Sequence, residues 1–281
     1  MAGHGDNFAQ GGYRSPAMPD LLSIGVLLVL LCASAGAGYL VKSRLPERHR
    51  SRDSIELVQL SVTLLATFAA IVLGLLTTSV KAGFDAAYTA RGTFASQLAQ
   101  MDQCLRDYGP ETAPIRAQLQ SYVAAVIAST WPDEKPPANI SYPDTAGMPL
   151  VGESRVLGGI INAVGREVQA LQPTDPVRQR ILNACAQQYS DLIKSRWAVI
   201  EAARPSISTP FYWVLVFWLM ILFASLGLTA PPDALTAIVI ALCVISVTVD
   251  VFVILDLDLP YGGLFGIPST SMRDALADMT R

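Results

Sequence analysis

Charge is scarce in this 281-residue chain, because Asp, Glu, Lys and Arg together make up only 15% of the sequence. An ordinary soluble domain carries about 25% charged residues. Hydrophobic residues reach 52%, which excludes a disordered chain and argues against a wholly soluble globule. The net charge of −3 offers no basic surface, so we expect no nucleic-acid partner.

Residues that carry chemistry are also few. The chain has two histidines and four cysteines, which are too scattered for a zinc site. It lacks a glycine-rich loop after a strand, a nucleophile elbow and a histidine pair at metal-binding spacing. We therefore expect no catalytic residue, no metal and no cofactor, and we predict that the protein is not an enzyme.

Four long apolar runs dominate the sequence instead. Each is about 20 residues long, enough to cross a hydrocarbon core of ~30 Å as a helix. The first run contains an Ala-Ser-Ala sequence that resembles a signal-peptide cleavage site, but its basic residues follow the run rather than precede it. The predicted transmembrane helices are residues 21–41, 55–80, 210–230 and 234–258.

The short loop at residues 42–54 indicates the orientation. It holds five cations, and short cation-rich loops stay in the cytoplasm. The N-terminal tail, residues 1–20, and the long segment between spans two and three then face the outside. We expect a multi-pass membrane protein, whose first partner is the lipid bilayer. The five cations are Lys42, Arg44, Arg48, Arg50 and Arg52.

The segment at residues 81–209 is too polar to cross a membrane. Apolar residues recur in it at steps of three and four, which predicts four amphipathic helices in an antiparallel bundle. The first of them continues from span two without a proline, and Arg91 alone breaks its apolar stripe. Five prolines make 131–150 an irregular excursion, and the tail at 259–281 is expected to hold a short helix. The predicted fold class is therefore all-α: four transmembrane helices and an extramembrane helical bundle between spans two and three.

Two cysteines lie at matching heights in this bundle. Counted along the helices at 1.5 Å per residue, Cys104 and Cys185 are both roughly 30–35 Å from the membrane. Outside the cytoplasm they could form a disulfide. The alternative is a pair of buried free cysteines that act as small apolar residues.

Two features of the spans are candidates for function. Asp250 lies inside an apolar run, where a carboxylate is costly unless it is paired or hydrated. It could form an ion pair with Lys81 or Arg204, or it could line an ion path. Span two also has a face of small and polar residues, which could pack against another helix or line a pore. The members of this face that we single out are Thr63, Thr67, Gly74 and Thr78.

Asp256 and Asp258 follow at the outer end of span four and are expected at the level of the lipid headgroups. They could bind a cation loosely, although Asp-x-Asp alone is a weak signal. The other interpretation is that they cap or hydrogen-bond the Pro-Tyr-Gly-Gly turn that comes next.

Over roughly residues 54–275 the sequence resembles the bestrophin-like domain family of bacterial membrane proteins. The most specific element of the resemblance is the motif from Ile254 to Asp258, followed by the turn from Pro260 to Gly263. The other motifs are Lys81-Ala-Gly-Phe-Asp85, Cys104-Leu-Arg-Asp-Tyr-Gly-Pro110, Ile115-Arg-Ala-Gln-Leu119 and Thr130-Trp-Pro132.

The resemblance implies a likeness to bestrophins, which are pentameric anion channels with four spans per subunit. It therefore implies a homo-oligomer of the bacterial inner (cell) membrane that forms an ion channel or a channel-like assembly. Bestrophins place their large helical part in the cytoplasm, whereas the basic loop of this chain places it outside. The alternative function is a membrane-anchored sensor or scaffold whose extracytoplasmic bundle binds a partner.

Overall fold

The computed structural model describes residues 21–44, 52–149 and 152–281. Within these ranges the chain forms helices and no β-strand, which confirms the all-α fold class. The 3₁₀ turn Pro110–Thr112 directly precedes α3. The helices are α1 (Leu21–Arg44), α2 (Arg52–Tyr108), α3 (Ala113–Thr130), α4 (Arg155–Ala170), α5 (Pro176–Ala202), α6 (Thr209–Thr229), α7 (Ala234–Leu257) and α8 (Thr270–Thr280).

Four of the helices are long and apolar enough to cross a membrane, as predicted. They are α1, α2, α6 and α7, and the apolar part of α2 is its N-terminal half. The irregular excursion after α3 is also present, since no helix forms between Thr130 and Arg155 in the residues described there.

α1 and α6 lie unusually close together because glycines occupy their contact. A Cβ atom on Gly38 would lie 1.9 Å from the carbonyl oxygen of Ala224, and one on Gly227 would lie 2.0 Å from that of Ala35. The Ser34 hydroxyl donates a hydrogen bond across the same contact to the carbonyl of Met220, at 2.5 Å. Small residues that let two backbones approach are the usual basis of helix association in lipid.

α2 is one continuous helix of 57 residues. At 1.5 Å per residue it is about 85 Å long, so it crosses the membrane and continues as the first helix of the bundle. It ends where Gly109 adopts a φ of 144°, a conformation that favours glycine, and Pro110 follows.

The bundle consists of the outer half of α2 with α3, α4, α5 and α8. Its core is apolar and includes Leu98, Leu119, Val164 and Leu192, each at most 1% exposed. Side-chain caps begin two of its helices: Ser154 accepts from the Leu157 N–H, and Asp175 accepts from the first two free N–H groups of α5.

The C-terminal helix belongs to this bundle, a packing that the sequence analysis did not predict. α8 inserts Met272 and Met279 into the core, each 1% exposed. A polar contact fixes its start, where Glu134 accepts hydrogen bonds from the Ser269 hydroxyl and from Nε of Arg273. The Arg273 guanidinium also donates to the carbonyl of Lys135 at 2.7 Å.

Candidate functional site

The small polar face of α2 is exposed in the protomer. Thr63, Thr67, Gly74 and Thr78 all lie on the surface, and nothing lies within 4 Å of a Cβ built on Gly74. The three threonine hydroxyls donate to carbonyls four residues earlier in the same helix, at 2.8–2.9 Å. Their polarity is therefore satisfied without another helix, and none of the helices that the structure describes packs on them in the same protomer.

The other side of α2 makes the contacts within the protomer. Ala69 is 7% exposed and Leu65, Val72 and Leu76 are partly buried in the apolar cluster of the membrane helices. Successive residues of a helix are about 100° apart, which places this buried side roughly opposite Thr67 and Gly74. The polar face thus points away from α1, α6 and α7.

Asp250 is half-buried on α7. Neither cation suggested by the sequence is its partner, because Lys81 pairs with Asp85 one turn along α2 and Arg204 pairs with Glu201 at 3.4 Å. Among the described residues Asp250 forms no ion pair. Its carboxylate therefore remains a candidate for a polar lining.

Asp256 organises the turn after α7. It is 2% exposed, and its two oxygens accept the N–H groups of Leu264 and Phe265, each at 2.9 Å. Gly263 has a φ of 74°, and a Cβ there would lie 2.2 Å from an Asp256 oxygen. The Pro-Tyr-Gly-Gly motif is therefore a turn that wraps around this carboxylate.

Asp258 connects α7 to the start of α6. Its carboxylate accepts the Ser206 N–H at 2.8 Å, the Ser206 hydroxyl at 2.6 Å and the Ile207 N–H at 3.2 Å. Both aspartates thus have protein donors on both carboxylate oxygens. Asp256 therefore hydrogen-bonds the turn that follows it, whereas Asp258 bonds a different segment, just before α6.

The structure joins Cys104 of α2 and Cys185 of α5 in a disulfide, with Cα atoms 5.6 Å apart. Cys185 is fully buried and Cys104 partly so, within the bundle core. The bond connects the first and fourth helices of the segment between the spans. The other two cysteines, Cys32 and Cys243, are free and lie in membrane helices.

Arg91 forms a site that the sequence analysis did not identify. It is 2% exposed, and its guanidinium carbon lies 4.3 Å from the ring centre of Trp131 and 4.6 Å from that of Tyr261. The two rings are nearly perpendicular, so Arg91 lies in the corner between them. The signal in the sequence was that Arg91 alone interrupts the apolar stripe of α2. The aromatic partners of Arg91 lie in loops that are distant in the sequence.

A cavity of about 90 Å³ lies beside Arg91, with Arg196 and Tyr122 also in its wall. Arg196 donates to the Tyr122 hydroxyl and to Glu153, each at 3.2 Å. Burial raises the pKa of Tyr122, and Arg196 partly opposes this. Burial likewise raises the pKa of Tyr261, against the opposing charge of Arg91, so both phenols stay protonated at neutral pH.

A family model matches most of the chain. The model is described as the bestrophin-like domain, and it matches residues 29–272. The chain belongs to the bestrophin-like family. The match includes most of the first span, the other three spans and most of the bundle, and it confirms the resemblance inferred from the motifs.

Solved structures of bacterial proteins share the fold. Two crystal structures of point variants of a bacterial bestrophin homologue from Klebsiella pneumoniae are similar, with TM-scores of 0.63 and 0.62 and identities of 16% and 17%. Each alignment covers 92% of this chain and at least 99% of that one. A crystal structure described as a membrane protein aligns over 93% of this chain with a TM-score of 0.59 and 17% identity. No curated protein matches the chain significantly.

Proposed function

We propose that this bestrophin-like protein is a homo-oligomeric ion channel, in which the α2 helices of several copies surround the ion path. The observation that carries the proposal is the direction of the small polar face of α2. That face points away from the helices of its own protomer, and Thr67 and Gly74 lie near its middle. A face of this composition fits a neighbouring subunit or a hydrated path better than lipid tails.

The arrangement of α2 suits a path along its length. Gly74 has no side chain, so a lumen lined by this face would be wider at that level. The threonine hydroxyls, which donate to carbonyls of their own helix, could instead hydrogen-bond to water or contact an ion in the path. The function implied by the family resemblance, in which bestrophins are channels, points the same way. We assign this chain the general activity of ion conduction and not the anion preference that the resemblance to bestrophins implies.

Asp250 has a supporting role in this proposal. An unpaired carboxylate within an apolar helix is rare and marks ion pathways in other membrane proteins. We propose that in the oligomer Asp250 contributes negative charge to the path or to its outer mouth, where it raises the local concentration of cations.

The test uses the purified full chain in liposomes and planar bilayers. Wild type should conduct, and Gly74→Trp should lower the conductance strongly because the indole fills the lumen at that level. Leu75→Trp is the matched control, since Leu75 is the next residue and lies about 100° around the helix. Silent bilayers with folded wild-type protein, or equal losses in both variants, would contradict the proposal.

We further propose that the bundle is extracytoplasmic. The basic loop after α1 supports this, and so does the disulfide, because disulfides persist in oxidising compartments. The test replaces Ser190 of the bundle or Ser43 at the end of α1 by cysteine and labels intact cells with an impermeant maleimide. If only Ser190→Cys is labelled, the bundle lies outside the cell as proposed. If only Ser43→Cys is labelled, the bundle lies in the cytoplasm and the proposed orientation is wrong.

A second candidate function is a sensor whose bundle signals through the membrane. The unbroken α2 helix favours it, because a rigid rod connects the bundle to the span. In that case wild type would not conduct, and binding of a ligand to the bundle would change the environment of a fluorophore placed at the cytoplasmic end of α2.

A further inference from the structure

The Arg91 guanidinium is buried and forms no ion pair with a described residue. Its Nε, Nη1 and Nη2 atoms have no hydrogen-bond partner among the described residues. A buried charge without partners is costly, and so is each unsatisfied donor. The aromatic contacts offset part of this cost but leave the in-plane N–H groups free.

Two carboxylates of this region, Glu134 and Glu153, are already paired with other arginines. Glu134 accepts from Ser269 and pairs with Arg273 at 2.9 Å. Glu153 pairs with Arg196 on the far wall of the cavity. Arg91 is therefore the one guanidinium in the cavity wall, as far as the structure describes it, that lacks a protein anion.

The cavity has the size and wall for a small organic anion. About 90 Å³ holds several water molecules or an anion about as large as acetate. Apolar residues such as Phe94, Val126 and Leu157 line the cavity together with the arginines. Pro149, which also lines the cavity, is exposed to solvent.

The orientation of Arg91 selects among anions. Ring contacts with Trp131 and Tyr261 hold the guanidinium plane, and its edge presents parallel donors that match a carboxylate. The Tyr261 hydroxyl also lacks a partner among the described residues and adds a further donor. We propose that this cavity binds a small monocarboxylate of about acetate size, with its carboxylate on Arg91 and its apolar end against the cavity wall. The site does not depend on ion conduction.

The experiment measures acetate binding to the full-length protein in nanodiscs by saturation-transfer NMR on the acetate methyl group. Ionic strength is kept constant with gluconate, which is too large for the cavity, and chloride serves as a competitor. Arg91→Leu removes the charge, and Val126→Phe keeps the charge but fills the cavity. Arg180→Leu is the matched control, because it removes an exposed arginine of the same bundle.

We expect saturable acetate binding to wild type and to Arg180→Leu, and at least tenfold weaker binding to the other two variants. Chloride should compete only at much higher concentration than acetate. If Arg91→Leu does not fold, Val126→Phe alone decides the result. The absence of saturable binding to wild type, equal binding to all folded variants, or equal preference for chloride would overturn the proposal.

Discussion

Removal of the Cys104–Cys185 disulfide should destabilise the bundle substantially. The two cysteines are 81 residues apart, and loop-closure entropy for a loop of that length corresponds to roughly 4.5 kcal/mol. This is a large fraction of the 5–15 kcal/mol that holds a typical protein folded. Because Cys185 is fully buried among apolar side chains, alanine at both positions removes the bond without leaving a buried polar group.

The assay compares thermal unfolding of the purified protein by circular dichroism, with and without a reductant. We expect the double variant Cys104→Ala/Cys185→Ala to melt roughly 10–15 °C below wild type. The control is Cys32→Ala/Cys243→Ala, which alters only the free cysteines of the membrane helices and should change the melting temperature little. Four alkylatable thiols in denatured, non-reduced wild type, or no effect of reductant on its melting, would refute the reasoning.

Three further predictions follow from the contacts of the protomer. Gly38→Ala should destabilise the protein by roughly 1–3 kcal/mol, because the added methyl group overpacks the contact of α1 with α6, and it should lower the yield of monodisperse protein. The control is Gly36→Ala, which should leave the yield unchanged because nothing lies within 4 Å of a Cβ at that position. Equal yields of the two variants would contradict the close contact. A hydrogen bond from Ser269 and the charge of Arg273 hold the pKa of Glu134 below its ordinary range. The ionised Glu134 therefore stabilises the α8 contact fully above about pH 4.3, the pKa of a glutamate in the unfolded chain. This stabilisation disappears as the pH falls through the lower pKa of Glu134 in the folded protein. The melting temperatures of wild type and Glu134→Gln should therefore converge as the pH is lowered. A difference in melting temperature that stays constant down to the lowest pH would contradict this role of Glu134. Asp250→Asn should shift the reversal potential in a KCl gradient towards the equilibrium potential of chloride, because the variant lacks the negative charge that attracts cations. An unchanged reversal potential would show that Asp250 does not act on the ion path.

The parts of the fold that depend on local sequence were predictable. Each span is a run of apolar residues, and α2 continues out of the membrane because no proline interrupts it before Pro110. Counting residues along α2 and α5 was enough to bring Cys104 and Cys185 to the same height. The hydrogen bonds of Asp256 were also foreseeable, since a turn with two glycines follows it.

The parts that depend on distant contacts were not predictable. α8 has apolar residues at helical spacing, but the sequence does not say that Met272 and Met279 enter the bundle core. Arg91 interrupts an apolar stripe, and the rings that surround it come from the irregular excursion after α3 and the turn after α7. No spacing rule connects those three positions, because only the folded bundle brings them together.

The proposal that α2 lines an ion path depends on the direction of its small polar face in the assembled protein. The decisive measurement is a cryo-electron microscopy map of the full chain in lipid nanodiscs. We predict a closed ring of subunits with Thr67 and Gly74 of every copy turned towards a central path. A monomer, or a ring in which α2 faces lipid and another helix lines or seals the centre, would contradict it.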